Sequence, residues 1–264
     1  YFAAFKIPDF FYFTLAAGAL GVAFMPFLAD RLAKGDKKGV WELSNSLLNL
    51  LAMVMLVVGV IIFAFARPLI QYVVAPTMTP EQLENAVTIM RFVAFNPFLF
   101  TISSIFMSVQ QTFGRFFFYA CAPLFYNGAI IVSIFMFDDS LGLVGLGVGA
   151  LIGAVLQLLV SLLGFIGLKY YYRPKINWNR PDFRRMLGQL PPRSLDQGVD
   201  SLNSIVETNL ARRLGEGKLT YYENAYVLHT APMLLIGTTI STAAFPRLND
   251  RLAQGRSDLF RKDF

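Results

Sequence analysis

FMPFLADRLAKG, Phe24 to Gly35, is the segment on which the fold turns, because AFPRLNDRLAQG, Ala244 to Gly255, repeats it near the other end of the chain. Seven of the ten positions from Pro26 to Gly35 recur 220 residues later: Pro26/Pro246, Leu28/Leu248, Asp30/Asp250, Arg31/Arg251, Leu32/Leu252, Ala33/Ala253 and Gly35/Gly255. In each copy an apolar, small-residue-rich run, Leu15 to Phe27 or Leu234 to Phe245, meets a proline and then a basic amphipathic segment. Solenoid repeats run about 20 to 50 residues. The longer spacing here predicts two large homologous halves, with one half and the start of the next in this chain.

Composition fixes the solvent. Of 264 residues, 55% are hydrophobic and only 15% charged, against about 25% charged in ordinary soluble domains. Runs such as Leu47 to Ala66 and Val144 to Leu168 approach the roughly 20 apolar residues that span a bilayer. The expected class is an all-α polytopic membrane protein. A net charge of +6 would suggest nucleic acid in a soluble protein, but the basic residues gather in particular loops, which is an orientation signal and not a nucleic-acid footprint. Cys121 is the one cysteine, which excludes an intrachain disulfide and a cysteine metal cluster. The opening YFAAFKIPDFF has no basic n-region or cleavage site, so the expectation is a chain that starts inside a longer protein.

Hydropathy marks spans at Phe10 to Leu28, Trp41 to Phe65, Ile89 to Val109, Phe116 to Phe137, Leu141 to Leu168 and Ala225 to Phe245. Arg31, Lys34, Lys37 and Lys38 follow the first, Arg115 the third, and Lys169, Arg173, Lys175, Arg180, Arg184 and Arg185 the fifth, whereas the alternate loops hold Glu81, Glu84, Asp138 and Asp139. The positive-inside rule makes the first set cytoplasmic. The basic residues after Phe245 are then cytoplasmic too, so a further helix must cross outward between Arg185 and Tyr221, and Arg193 to Leu214 is the candidate. Pro8, Pro26, Pro97, Pro123, Pro232 and Pro246 are expected to break spans, a habit of transporters, where freed backbone groups face protein or a watery cavity.

The candidate crossing helix carries the chemistry. At 100° per residue Arg193, Asp196, Asp200, Asn203 and Glu207 share a stripe. Gln197, Ser201, Ser204 and Thr208 widen it, and Leu195, Val199, Leu202, Val206 and Leu210 form the apolar side. A carboxylate facing lipid costs on the order of 2.5 kcal/mol or more, so the polar face is expected to line protein or water. It would bind a cation, a proton or a polar substrate; the alternative is a helix lying on the cytoplasmic surface.

Other features have blander readings beside the functional ones. Gly145, Gly147, Gly149 and Gly153 lack the GxGxxG spacing, and Gly149 to Gly153 is a small-xxx-small packing face. His229 is either a proton relay or a packed residue. Lys6 is either an attractor of an anionic headgroup or an interfacial anchor, with Asp9 as its ion-pair partner. Asp30-Arg31 and Asp250-Arg251 either anchor amphipathic turns or form a gate between halves. KYYYRPKINWNRPDFRR, Lys169 to Arg185, is an interfacial aromatic and anionic-lipid anchor in preference to an RNA-stacking surface. Nothing matches a metal set, a hydrolase triad or a Walker loop, so neither an enzyme nor a cofactor is expected.

Several strings together resemble the lipid II flippase family, the MurJ/MviN type, of the multidrug/oligosaccharidyl-lipid/polysaccharide exporter superfamily. They are AFKIPD (Ala4 to Asp9), the run from Ala17 to Pro26, FGRFFFYACAPLFYN with Pro123 and Asn127, LIGAVLQLL (Leu151 to Leu159), MLGQLPPRSL (Met186 to Leu195), and the Asn203, Glu207, Thr208 pattern. The resemblance implies a two-lobe exporter fold with six-helix repeats around a central cavity. This chain would run from about the end of helix 1 to helix 8, with residues 1–185 as the N-terminal lobe and 186–264 as the start of the C-terminal lobe. It further implies alternating access that moves an undecaprenyl-pyrophosphate-linked peptidoglycan precursor, lipid II, across the bacterial inner membrane, with membrane lipids and cell-wall synthesis proteins as further partners.

On that map Lys6, Arg193, Asn203 and Gln197 bind substrate, and Asp196, Asp200 and Glu207 couple an ion or proton. The chain departs from the family at Phe11, Tyr12 and Phe13, where basic residues are usual, at Ala16 to Ala19, where an acidic AEGA is usual, and at Tyr226 and Val227 in place of an acidic and basic pair. Alternatives are a polysaccharide-unit flippase, a multidrug antiporter, or a non-transporting membrane scaffold for cell-wall assembly.

Overall fold

A computed structural model describes residues 1–17, 20, 24–215 and 217–238, apart from the side chains of residues 17, 138, 139, 193 and 238. The second copy of the repeated motif, with Pro246, Asp250 and Arg251, lies outside the described residues, as do residues 239–245 of the span expected at Ala225 to Phe245. The described residues form helices and no strand. Two compact units are present, Tyr1–Leu210 and Ala211–Phe264.

The first unit opens with α1 (Phe2–Phe11), which passes through Pro8 and widens into a π-helical turn at Tyr12–Ala17. Pro8 donates no N–H and its ring crowds the preceding turn. Pro26 stands in the first turn of α2 (Met25–Ala33), where a missing N–H costs nothing. The long α3 (Lys37–Ala64) starts at an Asp36 cap that accepts from the Gly39 N–H at 2.8 Å. A short α4 (Ala66–Pro68) and a π turn at Leu69–Val74 follow.

The span expected at Ile89 to Val109 begins earlier. α5 (Pro80–Val93) is capped by Thr79, whose hydroxyl accepts from the Gln82 N–H, and it meets α6 (Asn96–Thr112) across Ala94 and Phe95. Hydropathy missed the first turns because Glu81, Gln82, Glu84 and Asn85 dilute them. The interruption is at Pro97, which removes the N–H that would bond Val93. Pro123 does not break its helix: α7 (Phe117–Leu141) continues through it, since only the Tyr119 carbonyl loses an intrahelical donor, and the Asn127 amide donates to the Pro123 carbonyl at 3.0 Å.

α8 (Leu143–Leu163) presents glycine on two sides. A Cβ on Gly149 would stand 2.1 Å from Ser133 Oγ, and one on Gly153 would stand 2.7 Å from the Tyr126 carbonyl oxygen, both on α7; one on Gly147 would stand 3.1 Å from Ile89 of α5. The small-residue face is therefore a packing face, as its spacing implied. α3, the joined α5–α6 stretch, α7 and α8 are each long and apolar enough to cross a membrane.

The stretch after α8 is latched to α3. Glu42, Asn45, Ser46 and Asn49 lie at i, i+3, i+4 and i+7 on one face of α3, and each holds that stretch. The Asn45 amide donates to the Tyr171 carbonyl at 3.0 Å, and the Asn49 amide to those of Arg173 at 2.8 Å and Lys175 at 3.2 Å. The Asn177 N–H donates to Ser46 Oγ at 3.1 Å, and Arg180 pairs with Glu42. The Tyr170 hydroxyl donates to Asn45 Oδ1, and burial first, then neighbouring Tyr172, pushes that hydroxyl up to about 12, so it stays a donor.

Tyr170 and Phe113 pack around Trp41, Phe113 stacked at 5.2 Å and Tyr170 edge-on at 5.3 Å. The aromatic residues expected to anchor in the membrane interface are thus partly spent on the protein core: Tyr170 and Tyr171 pack against it, while Tyr172 and Trp178 are exposed. α9 (Pro181–Gly188) then inserts Phe183 and Met186, both fully buried. Arg31, only 12% exposed, joins Asp36 at 2.7 Å and also Asp182 at the start of α9. Asp30 pairs with Lys34 at 2.7 Å. The first copy of the repeated motif is therefore an anchor within its own unit.

α10 (Leu190–Arg213) carries the first unit to its end. Its 24 residues reach about 36 Å at 1.5 Å each, enough for a bilayer core. In the second unit, α11 (Lys218–Pro232) starts after the left-handed Gly217 and ends at Pro232 in a π turn, Met233–Thr238.

Candidate functional site

Two helices from opposite ends of the first unit make the site. Lys6, Asp9 and Phe10 of α1 follow one another at i, i+3 and i+4, hence on one face, and Phe13 of the π turn joins them. On α10, Gln197, Asp200, Ser201 and Ser204 stand at i, i+3, i+4 and i+7. These eight residues line a cavity of about 240 Å³. Close approach is possible because the α10 side is small: a Cβ on Gly198 would lie 3.3 Å from the Thr14 methyl carbon. Lys6 Nζ donates to Ser204 Oγ at 2.9 Å and so ties the two helices.

Supporting contacts hold both walls. The Tyr12 and Ser104 hydroxyls share a 2.7 Å hydrogen bond that fixes α1 to α6. Ile205 is buried in the same cluster as Ala3, Ala4 and Ile7 of α1, and the Asn209 amide donates to the Val73 carbonyl at 3.2 Å. Thr208 is fully buried and back-bonds to the Ser204 carbonyl at 2.8 Å. Chemically the cavity offers one ammonium, two carboxylates, two hydroxyls, an amide and two phenyl rings. An ammonium beside hydroxyl and amide donors suits an anionic oxygen-rich group, and carboxylates beside it suit a proton or small cation.

The structure brings Lys6, Gln197 and Asp200 of the sequence-derived set into this cavity. Asp196 and Asn203 stand exposed on its flank, and the Asn203 amide donates to Glu207 Oε1 at 2.8 Å, one turn along the helix. Arg193 belongs to α10, with its side chain outside the described residues. His229 is exposed on α11. Sequence reading passed over Asp9 as a mere partner of Lys6 and missed Phe10 and Phe13. The signal was available in the i, i+3, i+4, i+7 spacing from Lys6, hidden by Pro8 within it.

The family model described as "Lipid II flippase MurJ" matches residues 1–264. Among curated relatives, the probable lipid II flippase MurJ of Borreliella burgdorferi is 24% identical over 254 residues, covering 96% of this chain and 49% of the relative. The lipid II flippase MurJ of Burkholderia cenocepacia is 27% identical over 258 residues, covering 94% and 50%. A solved structure titled "Lipid II flippase MurJ, inward closed conformation" superposes with a TM-score of 0.76 at 22% identity, over 95% of this chain and 52% of that one. The chain thus spans about half the length of the relatives it matches.

Proposed function

The chain belongs to the MurJ lipid II flippase family, and on that premise we propose that the protein of which it is part moves lipid II, an undecaprenyl-diphosphate-linked peptidoglycan precursor, across the bacterial inner membrane by alternating access. Family and spans make it a multi-pass protein of that membrane. In this reading residues 1–185 and 186–264 belong to two lobes, and the substrate's diphosphate enters between them.

The observation that carries the reading is the cavity joining Lys6 of α1 to Gln197, Asp200, Ser201 and Ser204 of α10. Lys6 holds the diphosphate by charge-assisted hydrogen bonds, Gln197 adds neutral donors, and Arg193 and Asn203 extend the contact along α10. Asp196, Asp200 and Glu207 take up a proton or a cation and bias the inward and outward states by their different charge. Asn203, by donating to Glu207, couples a substrate contact to a carboxylate. Cell-wall synthesis proteins receive the product on the outer side.

The test is flipping of a fluorescent undecaprenyl-diphosphate-linked sugar by the whole protein in liposomes. Losing one charge-assisted hydrogen bond is worth about 1.5–3 kcal/mol, so Arg193→Ala and Glu207→Gln are each expected to slow flipping about tenfold or more while leaving membrane expression intact. Unchanged flipping by both variants would sink the assignment.

A further inference from the structure

We propose that a second groove, on the outside of the bundle between α3, α6 and the end of α8, binds one anionic phospholipid of the cytoplasmic leaflet. The groove holds about 540 Å³. Its apolar walls come from Leu48, Met53, Leu56, Phe98, Ile102 and Leu162, and Asn49, Tyr170 and Tyr172 close one end. Leu48 to Leu56 rises about 12 Å along α3, so an acyl chain can lie in it parallel to the helix axis.

The closed end decides which lipid. Asn49 there spends its whole amide on the latch, donating to the Arg173 and Lys175 carbonyls and accepting from the Tyr172 hydroxyl at 2.7 Å. That fixes the backbone of Arg173 and Lys175 beside Asn49 at this end of the groove; their side chains are exposed and line the cleft they share with Glu42, Asn45 and Asn177. The Arg173 guanidinium lies over the Tyr171 ring at 4.9 Å, a stacking that leaves its edge N–H groups directed outward. Glu42, the carboxylate that lines the same cleft as these cations, is already paired with Arg180.

Loop charge places this end on the cytoplasmic side. Basic pockets between spans at that depth select anionic headgroups, and the phosphate would sit where the acyl chain emerges. The other large apolar cleft, between α7 and α8, has about 450 Å³ but no charged residue in its lining. It offers nothing to choose a headgroup, and general lipid solvation accounts for it.

The whole protein, purified in detergent, is titrated with dioleoyl phosphatidylglycerol and with dioleoyl phosphatidylcholine, and bound lipid is counted by native mass spectrometry. At about 1 kcal/mol per basic residue near a headgroup, phosphatidylglycerol should bind roughly thirtyfold tighter. The double variant Arg173→Gln/Lys175→Gln keeps both carbonyls that Asn49 holds, and it should abolish the preference with phosphatidylcholine binding unchanged. Ala52→Phe, which fills the groove floor, should weaken both lipids, and glycerol 3-phosphate should not compete. Equal affinity for the two lipids in the unaltered protein, a preference that survives the double variant, or competition by glycerol 3-phosphate would overturn the site.

Discussion

Gly153→Val is expected to cost about 3 kcal/mol and to remove most of the folded, monodisperse protein. The atom a Cβ would meet at 2.7 Å is a backbone carbonyl oxygen, that of Tyr126, with the Tyr126 Cα at 3.1 Å. A flexible side chain could swing away from such a contact; backbone cannot, so α8 has to withdraw from α7. Overpacking in a well-filled interior costs about 1–3 kcal/mol, and a β-branched residue against immovable backbone sits at the upper end. Between spans the penalty is not offset by a hydrophobic gain, because lipid tails are as apolar as the added methyls. Gly128→Ala is the matched control. Its Cβ would meet nothing within 4 Å, so the change should be neutral or stabilising by up to about 1 kcal/mol, as glycine to alanine is in a helix. Thermal melts in detergent separate the two variants; similar melting of both would show that the glycine face does not hold α7 and α8 together.

Lys6→Glu is expected to reduce flipping more than a hundredfold in a protein that still melts like the parent. Among the described residues, Lys6 is the one cationic side chain in the cavity lining, where Asp9 and Asp200 already stand. Replacing it removes a charge-assisted hydrogen bond worth about 1.5–3 kcal/mol, or ten- to a hundredfold. The third carboxylate then repels a diphosphate as well. Lys6→Arg keeps the charge but exchanges a compact ammonium for a planar fork, so it should retain a measurable fraction of the rate. The hydrogen bond from Lys6 to Ser204 separates the two roles of this residue: Ser204→Ala removes that tie alone and should cost only a few-fold. Wild-type rates from Lys6→Glu would take the substrate off α1.

Much of this arrangement is legible in the residues alone, and for identifiable reasons. α3, α7 and α8 are continuous apolar runs, so hydropathy finds them. α10 is too polar for hydropathy, and only the repeat at Phe24 and Ala244, together with loop charge, argues that it crosses. Its polar face could be drawn from a 3.6-residue period, yet the period does not say which polar residues meet α1. Packing decides that: Gly198 is buried and Gln197, Ser201 and Ser204 are half-buried, while Asp196 and Asn203 stay exposed.

Two features escape a periodic reading, each for its own reason. The latch of Asn45 and Asn49 on the carbonyls of Tyr171, Arg173 and Lys175 uses backbone acceptors, which any sequence supplies. The α1 wall is masked by Pro8 and by the π turn after Phe11, which shifts the helical phase.

Photocrosslinking in the whole protein shows whether the cavity between α1 and α10 receives the diphosphate lipid. A benzophenone amino acid at Phe13, in the cavity lining, is compared with one at Phe135, 83% exposed on α7. The account predicts capture of a radiolabelled undecaprenyl-diphosphate-linked sugar at Phe13, abolished by Lys6→Glu, with background capture at Phe135. Equal capture at the two positions, or capture at Phe13 that survives Lys6→Glu, would contradict it.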